Sequence, residues 1–374
     1  MPQHPVLADS ELLLDGLLKW VRFETPTGRL DAIAALIDVI AAEAGQWGAG
    51  VERVPGRDGM GDHLIVRFAG GKGPGILSVC HLDTVCQPGS VSFRRDGDRQ
   101  YGPGIADMKG GGYLAFAAAR HIAGTGARMP GPLTIIYNSD EEIGSPTSRD
   151  IIQAEAKKAG CALIPEPARG DEAITFRKGR AKYQVDFTGR EAHAGSAFAD
   201  GRSAISEMAR AIVTLDGMTD RQAGTTVNVG HVSGGSEPNV VAGRASCLVD
   251  VRFAANVAGE TVDRAIRNIR PADKDVRITV TGEIEKPCLE RSDATLRLFR
   301  LAQSIGDEIG SPVAETASGG GSDGNFTSAA GTPTLDGLGA IGNNWHSPDE
   351  HILVSALGRR ELLLRRLYLA LGGA

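Results

Sequence analysis

The chain has 374 residues, a length that fits two domains, and its 41% hydrophobic and 23% charged residues are typical of a folded globular protein. Its formal net charge of −6 argues against nucleic acid as a partner, because proteins that bind polyanions are usually basic. Five cysteines without paired spacing do not predict a disulfide framework, and no segment has the length of a membrane helix.

The first half of the chain predicts helices that alternate with buried strands. Leucines and isoleucines at helical spacing predict two helices within the first 40 residues. The first twenty residues lack the basic start, apolar stretch and cleavage signal of a secretory leader, so we expect a cytoplasmic protein with free thiols. Short apolar runs predict strands at 63–68, 75–80 and 133–137, with a helix at 113–122 between the last two. This alternation predicts a mostly parallel sheet covered by helices on both faces.

The pattern changes after about Phe176. Alternating residues predict strands at 181–188, 225–232, 245–253 and 275–282, and apolar spacing predicts helices at 203–215 and 262–269. This segment is typical of a small antiparallel sheet with helices on one face. Helix–strand alternation then resumes with a helix at 295–309, and an amphipathic helix closes the chain. The sequence therefore predicts an α/β domain formed by residues 1–177 and 287–374, interrupted by an inserted α+β domain at 178–286.

Five short segments carry metal-ligand residue types at strand ends or in glycine-rich turns. They are SVCHLDTV with His81 and Asp83, YGPGIADMKGGG with Asp107, NSDEEIGS with Asp140, Glu141 and Glu142, IPEPARG with Glu166, and NNWHSPDE with His346. His81 directly follows an apolar strand, where open α/β folds place ligands. The Asp83 carboxylate, two residues on, can accept the other imidazole N–H and orient the ring.

Each segment alone also has an ordinary structural interpretation. A single histidine can be a core residue, an aspartate among glycines can simply form a turn, and a run of acids is usually a solvated face. Together, two histidines and three carboxylates fit two divalent ions that share one bridging carboxylate. Mixed nitrogen and oxygen ligands without thiolate favour zinc, with cobalt and manganese as alternatives. One carboxylate of the acid run then remains free to take a proton.

In order and spacing, these segments resemble the M20 metallopeptidase family, which includes glutamate carboxypeptidase, acetylornithine and succinyl-diaminopimelate deacylases, and aminoacylases. The resemblance extends from about His63 to the C-terminus and implies a zinc-peptidase-like fold. It implies two Zn²⁺ per subunit, with Asp107 bridging both ions, His81 and Glu166 holding one, and Glu142 and His346 holding the other. It also implies that Glu141 is the general base and that Asp83 supports His81. The family tends to have glutamate at the position of Glu166 in carboxypeptidases and deacylases, which argues against an aminopeptidase. It also implies a cis peptide bond after Asp107.

The resemblance identifies the inserted segment as a lid or dimerisation domain. It implies that His193 polarises the scissile carbonyl, often across a homodimer, and that Asn228 and Arg252 contact the substrate carboxylate. It also implies that the backbone of a glycine patch, which includes Gly320, approaches the substrate. The sequence departs from many relatives at Ala242, where they have proline, which puts the local turn of the lid in question.

These roles imply an enzyme that hydrolyses the amide bond of an N-acyl amino acid or small peptide and releases a C-terminal amino acid, as glutamate-type carboxypeptidases do. A deacylase of the acetylornithine deacetylase type is the alternative within the same class. A non-catalytic metal-binding protein is a further alternative, which the presence of Glu141 disfavours. A thiol enzyme built on Cys80 is disfavoured because adjacent strand residues point to opposite faces, which makes His81 a poor base for it. We expect a homodimer joined through the inserted domain, with no nucleic acid and no membrane as partner.

Overall fold

The computed structural model describes residues 7–371, which form two compact units. The first unit comprises the chain up to Phe176, Leu289–Ser318 and the chain from Ser322 onward, and the second comprises Arg177–Cys288 with Gly319–Gly321. The first six residues of the segment assessed as a leader lie outside the described residues. Within residues 7–371, no helix combines the length and the apolar character needed to cross a bilayer.

Helices and strands occur throughout both units. The helices are α1 Ser10–Val21, α2 Leu30–Gln46, α3 Gly111–Gly124, α4 Arg149–Ala156, α5 Ala204–Asp216, α6 Asn256–Arg267, α7 Asp293–Glu308, α8 Gly324–Ala329 and α9 Leu357–Ala370. The strands are β1 Gly50–Val54, β2 His63–Phe68, β3 Gly75–His81, β4 Arg94–Asp96, β5 Arg99–Tyr101, β6 Leu133–Asn138, β7 Ala159–Leu163, β8 Glu172–Arg177, β9 Gly179–Thr188, β10 Ala192–His193, β11 Thr226–Gly234, β12 Val240–Val241, β13 Arg244–Phe253, β14 Arg277–Lys286, β15 Ala314–Ser318, β16 Thr334–Leu335, β17 Gly342–Asn343 and β18 His351–Leu353.

The first unit is built on a six-stranded sheet in the order β1-β2-β6-β3-β7-β16. The pairs β6/β3, β3/β7 and β7/β16 are parallel, whereas β1/β2 and β2/β6 are antiparallel. The expectation of a mixed, mostly parallel sheet is confirmed, with the antiparallel pairs confined to one side. Parallel neighbours end at the same edge, so the residues that follow β6, β3 and β7 gather there.

Helices cover both faces of this sheet, because its central strands are apolar on both sides. On one face, Val66, Cys80 and Ile135 pack in a large core together with Trp20 of α1 and Leu367 of α9. On the other face, a smaller core joins residues of β3, β6 and β7 to α4 and α8. Fully buried strands of this kind are typical of α/β folds.

The second unit contains a four-stranded antiparallel sheet in the order β11-β13-β9-β14. Its strands alternate between buried and more exposed residues, and the buried set, which includes Tyr183, Val185 and Val249, packs against Met208 of α5 and Ile266 of α6. The predicted antiparallel sheet with helices on one face is therefore present. The side chain of Ser203 caps α5 by accepting a hydrogen bond from the backbone N–H of Ser206, which agrees with the predicted start of that helix.

The turn at Ala242, which the sequence put in question, is held by backbone hydrogen bonds. The carbonyl oxygen of Ala242 accepts the N–H of Ala204 at 2.8 Å, and that of Asn239 accepts the N–H of Ala194 at 2.9 Å. Alanine is accommodated there without the proline that many relatives have.

Candidate metal centre

The predicted ligands lie at the carboxyl edge of the six-stranded sheet and in the loops beside it. His81 is the last residue of β3, Glu142 follows β6 in a short helical turn, and Glu166 lies three residues beyond β7. Asp107 lies between β5 and α3, and His346 lies in the loop between β17 and β18. Five separate connections therefore supply these five side chains.

Asp107 stands between the two histidines. Its Oδ1 lies 3.1 Å from His81 Nε2, and its Oδ2 lies 3.1 Å from His346 Nε2. Glu166 Oε1 is 3.9 Å from His81 Nε2, whereas Glu142 Oε2 is 3.4 Å from His346 Nε2. The five side chains thus divide into two groups that share the carboxylate of Asp107.

The donor set fits divalent cations. Single ligand atoms of His81, Asp107 and Glu142 all lie within 4.8 Å of one another. Glu142 Oε1 is buried and has no hydrogen-bond partner among the residues that the structure describes, although a buried carboxylate oxygen normally requires one. A cation would satisfy that atom. Imidazole and carboxylate ligands without a thiolate suit zinc, and manganese also accepts carboxylate oxygens.

The charges of the cluster perturb the pKa of several members. The hydrogen bond to Asp107, followed by that to Glu142, raises the pKa of His346 to about 10. Burial raises the pKa of Glu142 to about 7. Burial alone would lower the pKa of His81, but the hydrogen bond to Asp107 and the charge of Glu166 raise it well above its ordinary value. The cluster therefore stabilises positive charge at its centre.

His81 is oriented by Asp83, but through a different atom from the one predicted. His81 Nδ1 lies 2.9 Å from the backbone carbonyl oxygen of Asp83, whereas the Asp83 carboxylate lies 3.6 Å away, beyond hydrogen-bond distance. The carboxylate instead accepts the N–H groups of Glu141 and Glu142 at 3.1 and 3.2 Å and the hydroxyl of Thr27 at 2.7 Å. In this structure the acceptor for the imidazole is therefore the carbonyl oxygen of Asp83, and the Asp83 carboxylate is an ion-pair neighbour of His81.

The acid run divides into three different environments. Asp140 accepts hydrogen bonds from the backbone and hydroxyl of Thr147 and from the hydroxyl of Ser148, so its carboxylate holds the loop that follows β6. Glu142 contacts His346. Glu141 is 9% exposed, and its backbone is fixed by Asp83. Three adjacent acids therefore take three different places around the cluster.

Two backbone features mark the loops that hold the ligands. The peptide bond between Asp107 and Met108 is cis, as predicted. His346 has a φ of +63°, a left-handed conformation that is uncommon for residues other than glycine. Such conformations persist where the surrounding structure enforces them, and they are frequent at functional sites.

The sequence interpretation missed Glu350, although it lies in the same segment as His346. Glu350 is 1% exposed, and its carboxylate accepts the backbone N–H groups of Gly104, Ala106 and Asp107. Its position, an acid directly before β18 within a metal-ligand segment, was the available signal. Thr27 was also missed, because a lone threonine in a turn carries no distinguishing pattern.

The remaining predicted site residues belong to the second unit. His193 is exposed, and its Nδ1 accepts the N–H groups of Gly195 and Ser196 at 3.1 Å each, so in the neutral ring the proton is on Nε2. Arg252 donates from Nε to Asp250 Oδ1 at 2.8 Å, the strand ion pair that the sequence left open as an ordinary interpretation. Asn228 pairs with Asp250 across β11 and β13, which makes it a diagonal neighbour of Arg252.

Gly320 also lies in the second unit, where its carbonyl oxygen accepts a hydrogen bond from Arg177 at 3.3 Å. The candidate metal ligands, in contrast, all belong to the first unit. The structure therefore brings the five metal-ligand candidates together in one unit, and it brings Asn228 and Arg252 together in the other.

All five cysteines are buried free thiols, as expected. Burial raises the pKa of Cys80 well above its ordinary value. A nucleophilic cysteine needs a lowered pKa and an accessible sulfur, so the thiol-enzyme alternative has no support at this position.

Comparisons with known proteins show the family and the fold of the chain. The family model described as Peptidase family M20/M25/M40 matches residues 77–370. The chain is 32% identical to Carboxypeptidase G2 of Pseudomonas sp. (strain RS-16) over 368 residues, which cover 95% of this chain and 88% of that protein. It is 29% identical to Acetylornithine deacetylase of Myxococcus xanthus, with 88% of this chain and 90% of that protein covered. The fold of this chain is similar to the crystal structure of aminopeptidase PepT from Bacillus cereus, with a TM-score of 0.79 and 22% identity over 97% of this chain and 99% of that one. At this identity the similarity shows the fold alone.

Proposed function

The chain belongs to Peptidase family M20/M25/M40, and we propose that it is a two-metal hydrolase that cleaves the amide bond of an N-acyl amino acid or small peptide and releases the C-terminal amino acid. The observation that carries this proposal is the carboxylate of Asp107, which contacts His81 through one oxygen and His346 through the other. In the proposed assignment, His81 and Glu166 would hold one ion, Glu142 and His346 would hold the other, and Asp107 would be shared between the two groups. Zinc is the expected metal, with cobalt and manganese as alternatives.

Divalent ions at this cluster would supply Lewis acidity, which polarises an amide carbonyl and lowers the pKa of a water molecule. In the proposed mechanism, Glu141 accepts the proton of the attacking water and then donates it to the leaving amine. The hydrogen bond from its backbone N–H to Asp83 helps to hold Glu141 in place, and Asp83 also orients His81 through its carbonyl oxygen. Asp83 is therefore proposed as a supporting residue for both the base and a ligand.

We assign substrate recognition to the second unit. Nε2–H of His193 would donate a hydrogen bond to the scissile carbonyl oxygen, because Nδ1 already accepts two backbone N–H groups. Arg252 and Asn228 would bind the free carboxylate of the leaving amino acid, and a guanidinium suits a carboxylate because it can donate two parallel hydrogen bonds. Arg252 would have to share its donors between the substrate and Asp250. The backbone at Gly320 is proposed to approach the substrate as well.

A carboxypeptidase of the glutamate type is favoured by the similarity to Carboxypeptidase G2 over 95% of the chain. A deacylase that removes a small acyl group is the second candidate, and the similarity to Acetylornithine deacetylase supports it. Both candidates use the same metal chemistry and differ in what the inserted domain accepts.

The test is a hydrolysis panel on the purified protein with zinc, cobalt or manganese added back. The panel compares N-acyl glutamate, N-acyl aspartate, N-acyl aliphatic amino acids, acetylornithine and folate-like compounds. Release of glutamate at the highest kcat/KM supports the carboxypeptidase, whereas preference for acetylornithine supports the deacylase. A protein that binds metal but hydrolyses none of them would be a non-catalytic metal-binding protein and would refute the proposal.

We also propose a cytoplasmic homodimer joined through the inserted domain, with His193 acting in the partner subunit's site. Residues 178–286 contain none of the five proposed metal ligands, and the exposed edge strand β11 could be protected by pairing. A mixed dimer of His193→Ala and Glu141→Ala subunits tests the assignment. If His193 acts in trans, one of the two sites is intact and activity returns towards half. If it acts in cis, each site has one defect and activity stays near zero, and a fully active monomer would refute the dimer.

A further inference from the structure

Glu350 connects two loops that carry proposed metal ligands. Its Oε1 accepts the N–H groups of Ala106 and Asp107 at 2.8 and 3.0 Å, and its Oε2 accepts the N–H of Gly104 at 2.9 Å. Glu350 itself lies four residues after His346. One carboxylate thus fastens the segment that ends in Asp107 to the loop that contains His346.

The backbone that follows His346 is anchored as well. The N–H of Glu350 donates to the carbonyl oxygen of Ser347 at 3.1 Å, which closes the turn that follows His346. The next residue, His351, begins β18 and pairs with Tyr101, the last residue of β5. The loop of Asp107 therefore follows β5, and the loop of His346 precedes the neighbouring strand β18. The carboxylate of Glu350 joins these two loops just beyond the end of the β5/β18 pairing.

A carboxylate is suited to this task in a way that an amide is not. Three N–H groups point at Glu350, and a carboxylate offers acceptor sites on both oxygens and no donor. A glutamine would place an NH₂ group against at least one backbone N–H, so one buried donor would lose its acceptor. A buried donor without an acceptor is destabilising, because it has lost its hydrogen bond to water without gaining another. An aspartate keeps the charge but is one methylene shorter, so it cannot span the same three groups.

We propose that Glu350 is a positioning residue that holds Asp107 and His346 in ligand geometry before a cation binds. Its effect passes through the backbone of the Asp107 segment and through the loop of His346. This inference rests on the proposed two-metal function, because it assigns Glu350 a purpose only if Asp107 and His346 are ligands. Residues that orient metal ligands typically contribute 10- to 100-fold to metal affinity or activity.

The test measures metal binding directly, by titrating chelator-treated protein with Zn²⁺ or Co²⁺ in a calorimeter. Glu350→Gln should weaken the binding of at least one equivalent by about 10- to 100-fold, and Glu350→Asp should also weaken it. Glu207→Gln is the matched control. Glu207 is a buried glutamate in the second unit that likewise accepts two loop N–H groups, from Ala272 and Asp273, but no metal ligand is proposed there. This control should lower thermal stability and leave metal affinity unchanged.

A second measurement needs no variant. Amide hydrogen exchange of the chelator-treated wild-type protein should show the N–H groups of Ala106 and Asp107 already protected. If these amides exchange as fast as exposed ones until metal is added, the segment is not held in advance and the inference is overturned. This measurement decides the question even if both Glu350 variants fail to fold.

The outcomes separate this inference from the proposed function. Wild-type protein that binds two ions, together with a Glu350→Gln variant that binds them equally tightly, overturns the positioning role alone. An equal loss of affinity in Glu207→Gln would show that the effect is general destabilisation, and would overturn it too. Wild-type protein that binds no divalent ion overturns the proposed function and removes the premise of this inference with it.

Discussion

Gly111 and Gly112 are adjacent residues of the DMKGGG segment that have very different amounts of space. A Cβ on Gly111 would overlap the carbonyl oxygen of Pro165 and lie 2.8 Å from its carbonyl carbon. A Cβ on Gly112 would lie 3.4 Å from both Cys80 Cβ and Tyr137 Cε1, which is ordinary contact. Gly111 already has helical φ and ψ of −65° and −43°, so its backbone conformation would suit alanine and only the space is lacking.

We expect Gly111→Ala to displace the segment that carries Glu166. The Pro165 carbonyl would have to retreat by more than about 1 Å, because its oxygen is overlapped and its carbon is closer than the roughly 3.5–4 Å that is normal for carbon atoms in contact. Overpacking of this kind costs about 1–3 kcal/mol in the free energy of unfolding. Glu166 follows directly, and a misplacement of about 1 Å in an active site can lower turnover by about 100-fold. The variant should therefore lose stability, metal affinity and activity together.

Gly112→Ala is the matched control, because it makes the same chemical change one residue further along the same helix. Removing a glycine from a helix stabilises by up to about 1 kcal/mol, so this variant should be at least as stable as the wild type. The assays are thermal unfolding, calorimetric zinc titration and turnover of the best substrate from the hydrolysis panel. Wild-type stability and metal affinity in Gly111→Ala would refute the reasoning, as would equal losses in both variants.

Three further predictions follow from single contacts. Glu141→Ala should lower kcat by about 10²- to 10⁴-fold, which is the usual contribution of a general base, and the variant should retain two metal ions. Loss of one metal equivalent with substantial residual activity would contradict the assignment of Glu141 as the base. Asp83→Ala should weaken metal binding by about 10- to 100-fold in a calorimetric titration, because the N–H groups of Glu141 and Glu142 lose their acceptor. An unchanged metal affinity would argue against a supporting role for Asp83. Hydrogen bonds from Arg291 and then Thr175 lower the pKa of Glu315 to about 2, so its contribution to stability is complete above pH 4.5 and is lost as the pH falls towards 2. Glu315→Gln should therefore reduce the loss of stability between pH 4.5 and 2 in acid unfolding, and an unchanged slope would contradict this.

The sequence predicted the elements whose side-chain pattern is local. The strand at 63–68 agrees with β2 residue for residue, and the strands and helices of the inserted segment are found within a few residues of their predicted positions, apart from the start of α6 and the end of β14. A helix or strand that is buried on one or both faces has a regular pattern of apolar residues, and this pattern can be recognised without knowing the fold. The ligand segments were recognisable for a similar reason, since each combines a strand end or a tight turn with a metal-binding side chain.

The features that the sequence did not predict depend on long-range pairing. The strands β4, β5, β17 and β18 have only two or three residues each, too few for a period, and they form one sheet between segments about 250 residues apart. The antiparallel direction of β2 is likewise decided by its partner β6. The roles of Glu350 and of the Asp83 carboxylate depend on which backbone N–H groups fold against them, and that information is not contained in the spacing of the acids.

The arrangement of the candidate metal centre links its chemistry to the stability of the fold. Each proposed ligand comes from a different connection, so no ligand pair can form until the sheet and its loops are assembled. Once they are assembled, burial raises the pKa of Glu142 to about 7 and that of Asp83 to about 6, because burial disfavours the charged form of each carboxylate. Cations bound at this cluster would offset that penalty only in the folded chain, so their binding free energy would add to the folding free energy. With the proposed ligands, the carboxylates that would serve hydrolysis would therefore make the stability of this edge of the sheet depend on metal.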